Sequence, residues 1–132
     1  MNNEHSRQNL DELAHSTIQR LVRVKTLEMS TIINVPVLYP SGSTTKIGIE
    51  QSGEYYRLSD MGYGLIEAMS INAKNFYKRS AKEVVSQFGL QFDGTTIFAP
   101  QVPIEFLEQS IIDVANSSSQ AAQGAIRNSA VS

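Results

Sequence analysis

Apolar residues recur at spacings of three and four over residues 10–25, which is the period of one buried face of an α-helix. Asn9 stands where it can cap this helix, and Glu12 follows three residues later, as in a capping box. The pattern therefore predicts an amphipathic first helix. Its apolar stripe consists of Leu10, Leu13, Ala14, Thr17, Ile18, Leu21 and Val22.

The period changes to two after this helix, and β-branched and aromatic residues become frequent. This alternation predicts three short strands, over residues 31–39, 45–50 and 54–58, joined by short turns into an antiparallel meander. Pro36 has no backbone N–H to donate to a ladder, so we expect the first strand at a sheet edge. The core-facing residues are predicted to be Ile47, Ile49, Tyr56 and Leu58, with Lys46, Gly48, Tyr55 and Arg57 on the other face.

The chain then returns to helical spacing, with helices predicted over residues 61–70 and 75–88 and Gly89 ending the second. The turn residues Asp93 and Gly94 predict a short β-hairpin. The order of elements is helix, three-stranded meander, two helices, hairpin and C-terminal helix. It predicts an α+β fold with a single antiparallel sheet.

The last helix is expected to begin near Pro103. Its predicted core face consists of Ile104, Leu107, Ile111 and Ala115. We assign residues 1–116 to a single α+β domain. Residues 117–132 are rich in Ser, Gln and Ala, so they form a tail that is either a helical extension or disordered.

The charge and residue content exclude several classes of protein. There are 13 acidic and 11 basic residues, so no global positive field attracts nucleic acid or an anionic membrane. The absence of cysteine excludes a disulfide scaffold, a thiolate metal site and a cysteine nucleophile. No signal-peptide pattern and no apolar run of about 20 residues is present. We therefore expect a cytoplasmic protein that has no membrane span.

Catalytic and metal-binding patterns are weak. His5 and His15 would lie about 15 Å apart on one helix, too far to share a metal ion. Asp60 and Gly62 are interpreted as structural: the carboxylate caps the following helix, and the glycine allows the tight turn before it. Asp60 with Glu50, Glu54 or Glu67 is the weaker, metal-assisted alternative. We therefore expect no catalytic residue, no metal and no cofactor.

Two surface features indicate binding. Phe106 is predicted about 160° away from the apolar stripe of the last helix, on a polar face, which suggests a protein contact. A basic cluster with aromatic neighbours lies on the helix over residues 75–88 and its approach; it consists of Lys74, Lys78, Arg79 and Lys82. The candidate partner-binding residues are therefore Phe106, Tyr55, Arg57, Lys78, Arg79 and Lys82.

The segment 55–63, Tyr-Tyr-Arg-Leu-Ser-Asp-Met-Gly-Tyr, resembles the signature of the family named domain of unknown function 1828, which occurs in bacteria, phages and mobile elements. Residues 35–49 resemble the opening strands of that family, and Arg79 with residues 84–90 resembles its third helix. The Ser- and Gln-rich tail departs from the family pattern. The resemblance covers about residues 8–115 and implies a setting of mobile DNA and phage–host conflict, without an established activity.

These observations lead us to expect a non-catalytic protein-binding module of phage or mobile-element origin. It would inhibit a host defence system, as an anti-CRISPR protein does, or act as an antitoxin-like partner. One alternative is a nucleic-acid-associated module that uses the basic helix over 74–82. Another is a homodimer like the small acidic secretion chaperones, whose order of elements is similar. We expect a homodimer because Tyr55 and Phe106 are two exposed aromatics, with Phe106 or the first helix in the interface.

Overall fold

A computed structural model describes residues 30–131, and the helix predicted over residues 10–25 lies outside them. The described chain folds as an α+β domain, as the sequence predicts. Its elements are β1 (Ser30–Leu38), β2 (Thr44–Ser52), β3 (Tyr55–Ser59), α1 (Tyr63–Met69), α2 (Lys74–Phe88), β4 (Gln91–Phe92), β5 (Ile97–Pro103), a 3₁₀ turn (Ile104–Phe106) and α3 (Leu107–Val131).

The five strands form one antiparallel sheet in the order β1-β2-β3-β5-β4. The predicted meander is confirmed, and β1, which contains Pro36, is an edge strand. The register places Gly48 of β2 opposite Ile32 on one side and Ser59 on the other. Strand β5 then pairs with β3, so that Tyr55 lies opposite Pro103.

The two faces of the sheet differ in what covers them. On the inner face, Ile47, Ile49 and Leu58 are fully buried and join a core that includes residues of all three helices. The outer face bears the alternate residues, and Ile32 remains 60% exposed there. The predicted alternation is therefore confirmed, and within residues 30–131 the outer face is open.

Helix α3 runs without interruption from residue 107 to residue 131, so the structure has helix across the boundary that we placed at residue 116. The segment that reads as a polar tail is helical through residue 131, and many of its small side chains face inward. Gly124 packs against the hydroxyl of Ser80, which donates a 2.8 Å hydrogen bond to the carbonyl of Ala121. The buried small residues of this segment are Ser117, Ser118, Ser119, Ala121, Ala122 and Ala125.

The start of α3 differs from the prediction in detail. Pro103 is the last residue of β5 rather than part of the helix, because the chain continues its pairing with Tyr55 of β3. A single 3₁₀ turn then precedes α3, and Phe106 lies in this turn. The predicted core residues Leu107 and Ile111 are buried as expected.

Candidate functional site

The carboxylate of Asp60 is completely buried directly after β3, and four donors surround it. Oδ1 accepts hydrogen bonds from the backbone N–H of Gly62 at 2.9 Å and of Ile97 at 3.0 Å. Oδ2 accepts from the N–H of Gly64 at 3.3 Å and from the hydroxyl of Ser118 at 2.6 Å. One side chain thus connects the start of α1, the start of β5 and the middle of α3.

The prediction that Asp60 is itself the helix cap needs correction. Helix α1 begins at Tyr63, with Gly62 at the cap position, so Asp60 lies two residues further from the helix. Its carboxylate still satisfies the N–H groups of the first turn, which is the chemistry of a cap. Gly62 has the predicted role, because its φ of 78° is a left-handed conformation that glycine adopts without steric cost.

Two tyrosine hydroxyls lie close to this carboxylate. The hydroxyl of Tyr39 is 2.7 Å from that of Ser118, so Tyr39, Ser118 and Asp60 form a hydrogen-bonded chain. The hydroxyl of Tyr77 is buried and has no hydrogen-bond partner among residues 30–131. It lies where a side chain at Gly64 would begin, beside Ser118 and Asp60. We call Tyr39, Asp60, Gly64, Tyr77 and Ser118 the buried polar cluster.

Burial dominates the electrostatics of this cluster. It raises the pKa of the Asp60 carboxyl above its ordinary value, although the hydrogen bond from Ser118 and three backbone N–H groups oppose the rise. Burial also raises the pKa of the Tyr39 and Tyr77 hydroxyls, and the nearby negative charge of Asp60 adds to both increases. Burial therefore disfavours ionisation of both tyrosines, whereas the four donors around Asp60 oppose the effect of burial on its pKa.

The cluster holds elements together and lies away from solvent. Within residues 30–131, no group of three or more His, Cys, Asp or Glu side chains is placed to hold a metal ion. Glu50 lies on the outer face, where it pairs in register with Arg57, while Asp60 is buried behind the sheet. Residues 30–131 therefore do not bring three carboxylates together around a possible metal ion.

The predicted contact residues Tyr55 and Phe106 lie at the same end of the sheet. Tyr55 opposes Pro103 in the ladder, and Phe106 follows in the 3₁₀ turn. Phe106 is 61% exposed and Tyr55 is 43% exposed. We call these two residues the end patch. Arg57 lies on the same face as Tyr55, and its guanidinium carbon is 4.6 Å from the ring centroid of Phe98, a cation–π contact.

A second exposed apolar surface, absent from our sequence-based candidates, lies on α1. This short helix turns its small residues, Gly64 and Ala68, toward the core. Tyr63, Ile66 and Met69 face outward at spacings of three, with Ile66 52% exposed, while Leu65 packs against the core. We call this surface the α1 patch; it consists of Tyr63, Ile66, Met69 and Ile71. The spacing of three between Tyr63, Ile66 and Met69 is visible in the sequence, but spacing alone does not tell a buried stripe from an exposed one.

The basic cluster lies on a different surface from both patches. Lys74, Lys78, Arg79 and Lys82 are all exposed on α2, whose other face packs against α3. Tyr55 and Arg57 belong to the outer face of the sheet, on the opposite side of the core. The structure thus separates the predicted partner-binding residues into an outer-face group and an α2 group.

Together the fold and the cluster define an α+β domain in which helices cover one face of a five-stranded antiparallel sheet. Scans against models of protein families, curated proteins and solved structures found no match to this chain. The resemblance of residues 55–63 to the family of unknown function stays a prediction. No helix within residues 30–131 is long and apolar enough to cross a membrane.

Proposed function

We propose that this protein is a non-catalytic protein-binding module that contacts its partner through the α1 patch. The observation that carries the proposal is that α1 exposes Tyr63, Ile66 and Met69, while Leu65 alone of its large apolar residues packs against the core. A helix of a globular domain ordinarily turns its large apolar side chains toward the core. Here Gly64 and Ala68 are buried, while Ile66 and Met69 are exposed to 52% and 47%. Contiguous exposed apolar surface of this kind is typical of a protein contact.

The end patch supports a second contact area. Phe106 and Tyr55 lie at the end of β3 opposite to the end that leads into α1. A partner that covers both patches would therefore span the length of the sheet. The resemblance of residues 55–63 supports a phage or mobile-element setting. In that setting the module would inhibit a host defence system or act as an antitoxin-like partner.

The test combines capture of a partner with a measured affinity. The wild-type chain is used to retain proteins from a host lysate, and the retained protein is identified by mass spectrometry, purified and titrated. Burying each large apolar side chain contributes about 1.5–3 kcal/mol. The double variant Ile66→Asp with Met69→Asp should therefore weaken binding at least about 100-fold.

The matched control is Ser86→Asp with Gln87→Asp, which adds the same two charges at exposed positions of α2. This control should bind like the wild type. Equal affinities of the wild type and the Ile66→Asp with Met69→Asp variant would refute the assignment of the α1 patch. If that variant and the control lose the same affinity, the loss is due to the added negative charge and not to lost apolar contacts.

The exposed cations of α2 favour a second candidate function, binding to nucleic acid. Lys78, Arg79 and Lys82 could neutralise a few phosphates, and such binding weakens steeply as salt increases. The charge reversal Lys78→Glu, Arg79→Glu and Lys82→Glu would then abolish it. No binding to DNA or RNA at low salt would eliminate this candidate.

A second copy of the chain is the alternative partner for the α1 patch and the end patch, because symmetric pairing commonly buries exposed apolar surface. Light scattering at micromolar concentration would then give twice the chain mass of 14.6 kDa. A mass near 14.6 kDa would refute the homodimer and leave both patches for a foreign partner.

A further inference from the structure

The outer face of the sheet has a pit on its β1 side, lined by residues of β1, β2 and β3. Gly48 has no side chain between Ile32 of β1 and Ser59 of β3. The side chain of Met61 lies over Gly48 and forms one wall of the pit, since its sulfur is 3.0 Å from where a Cβ on Gly48 would stand. The cavity measures about 170 Å³, and Ile32 and Arg57 are among the residues that line it.

Beside this pit, β1 carries exposed apolar side chains on either side of Asn34 and Pro36. Ile32 and Leu38, near the two ends of the strand, are 60% and 54% exposed. At about 3.3 Å per residue they lie about 20 Å apart. Two exposed apolar side chains at this spacing, with a pit beside one of them, can contact the apolar face of an amphipathic helix.

The sequence predicts such a helix immediately before β1. Residues 10–25 have an apolar stripe, and only residues 26–29 separate them from Ser30. Ser30 itself lines the pit. A helix of 16 residues is about 24 Å long. If the chain turns back after residue 25, this length reaches from the pit to Leu38.

We propose that the outer face of the sheet is a docking surface for the chain's own residues 10–25, with an aliphatic side chain of the stripe inserted into the pit beside Ile32. The helix runs antiparallel to β1 and forms a second layer. The short connection favours this occupant over a separate molecule, because four residues hold the stripe close to the pit at a high effective concentration. This proposal is independent of the partner that binds the α1 patch.

The absence of cysteine from the chain allows a direct test. Ile32→Cys is paired in turn with Ile18→Cys, Leu21→Cys or Val22→Cys in the full chain, and a short bismaleimide reagent is added. The controls pair Ile32→Cys with Gln19→Cys or Arg23→Cys, which lie on the opposite side of the predicted helix, about 160° from Leu21.

We expect at least one stripe pair to cross-link within a single chain, much faster than either control. Equal rates for stripe and control pairs, or no cross-link in any stripe pair, would overturn the proposal. Cross-links mainly between two chains would also overturn it, and would assign the outer face to a second copy.

A second measurement does not depend on the placement of cysteines. Ile32→Glu on β1 and Gln91→Glu on β4 introduce a negative charge at exposed positions on opposite edges of the sheet. If the stripe covers Ile32, the first variant lowers the melting temperature of the full chain by several degrees more than the second. Equal melting temperatures would show that the outer face is open to water.

Discussion

Replacing Asp60 with alanine tests whether the buried polar cluster holds the fold together. The substitution leaves the N–H groups of Gly64 and Ile97 buried without an acceptor. Each orphaned donor costs about 1–3 kcal/mol. Removing the carboxylate also removes its own burial penalty. We therefore expect a loss of about 2–5 kcal/mol, with the upper part of this range beyond the roughly 0.5–2 kcal/mol of an ordinary cap.

Asp93 provides a matched control. Its Oδ1 accepts hydrogen bonds from the N–H groups of Thr95 at 3.0 Å and Thr96 at 2.8 Å, and from the Thr95 hydroxyl, but it is exposed. Water can replace the lost acceptor, so Asp93→Ala should cost at most about 1 kcal/mol.

The assay is equilibrium unfolding in urea at pH 7, followed by circular dichroism. The reasoning predicts that Asp60→Ala is less stable than Asp93→Ala by more than about 1 kcal/mol. Equal free energies of unfolding for the two variants would show that burial of the hydrogen bonds does not matter. If Asp60→Ala does not fold, Asp60→Asn, which retains one acceptor oxygen, takes its place in the same comparison.

The remaining predictions concern the same cluster and the end patch. Gly64→Ala should destabilise the chain by about 1–3 kcal/mol in urea unfolding, because its Cβ would overlap the hydroxyls of Tyr77 and Ser118; wild-type stability would contradict this packing. Since burial raises the pKa of Asp60, its contribution to stability is present at pH values below its ordinary pKa and declines as the pH rises through the folded-state pKa. The free energy of unfolding of the wild type, relative to that of Asp60→Asn, should therefore fall from pH 4 to pH 8. A rise over this range in urea titrations would mean that folding lowers the pKa of Asp60 instead of raising it. Phe106→Asp should leave the free energy of unfolding within about 0.5 kcal/mol of the wild type; a larger loss would place Phe106 under a covering segment.

The strands were predictable because their signal is local. Alternation of apolar and polar residues identifies the inward side chains of β2 and β3, and it places Ile47 and Leu58 correctly in the core. Pro36 indicates an edge through its missing N–H, and β1 is at the edge. Gly62 was predictable from its place between Asp60 and a helix, where a left-handed residue is needed.

The second half of α3 was not predictable from composition. Ser117, Ser118 and Ser119 read as a polar tail, yet all three are buried. Their burial depends on partners distant in sequence: Ser118 bonds to Asp60 and Tyr39, and the Ser119 hydroxyl donates to the carbonyl of Leu38 at 2.6 Å. A window of neighbouring residues contains no trace of these partners.

The small residues of the helical layer explain why the α1 patch is on the surface. Gly64 allows α1 to approach the hydroxyls of Tyr77 and Ser118 closely, and Gly124 brings α3 against Ser80 of α2. With the helices this close, the fully buried positions of α1 hold only the small residues Gly64 and Ala68, while Leu65 is partly buried against the core. The outward positions are under no such restriction, and polar residues there would raise solubility at no packing cost.

The chain nevertheless places Ile66 and Met69 at these outward positions. Packing within residues 30–131 does not require them, since both are about half exposed. Neither does local helix propensity, because glutamate or lysine would serve α1 equally well or better than isoleucine. What an exposed isoleucine and methionine provide, and a charged pair does not, is apolar area for contact with another surface. The requirement that explains these two residues is therefore external to the described fold, and the affinity of the Ile66→Asp with Met69→Asp variant measures it directly.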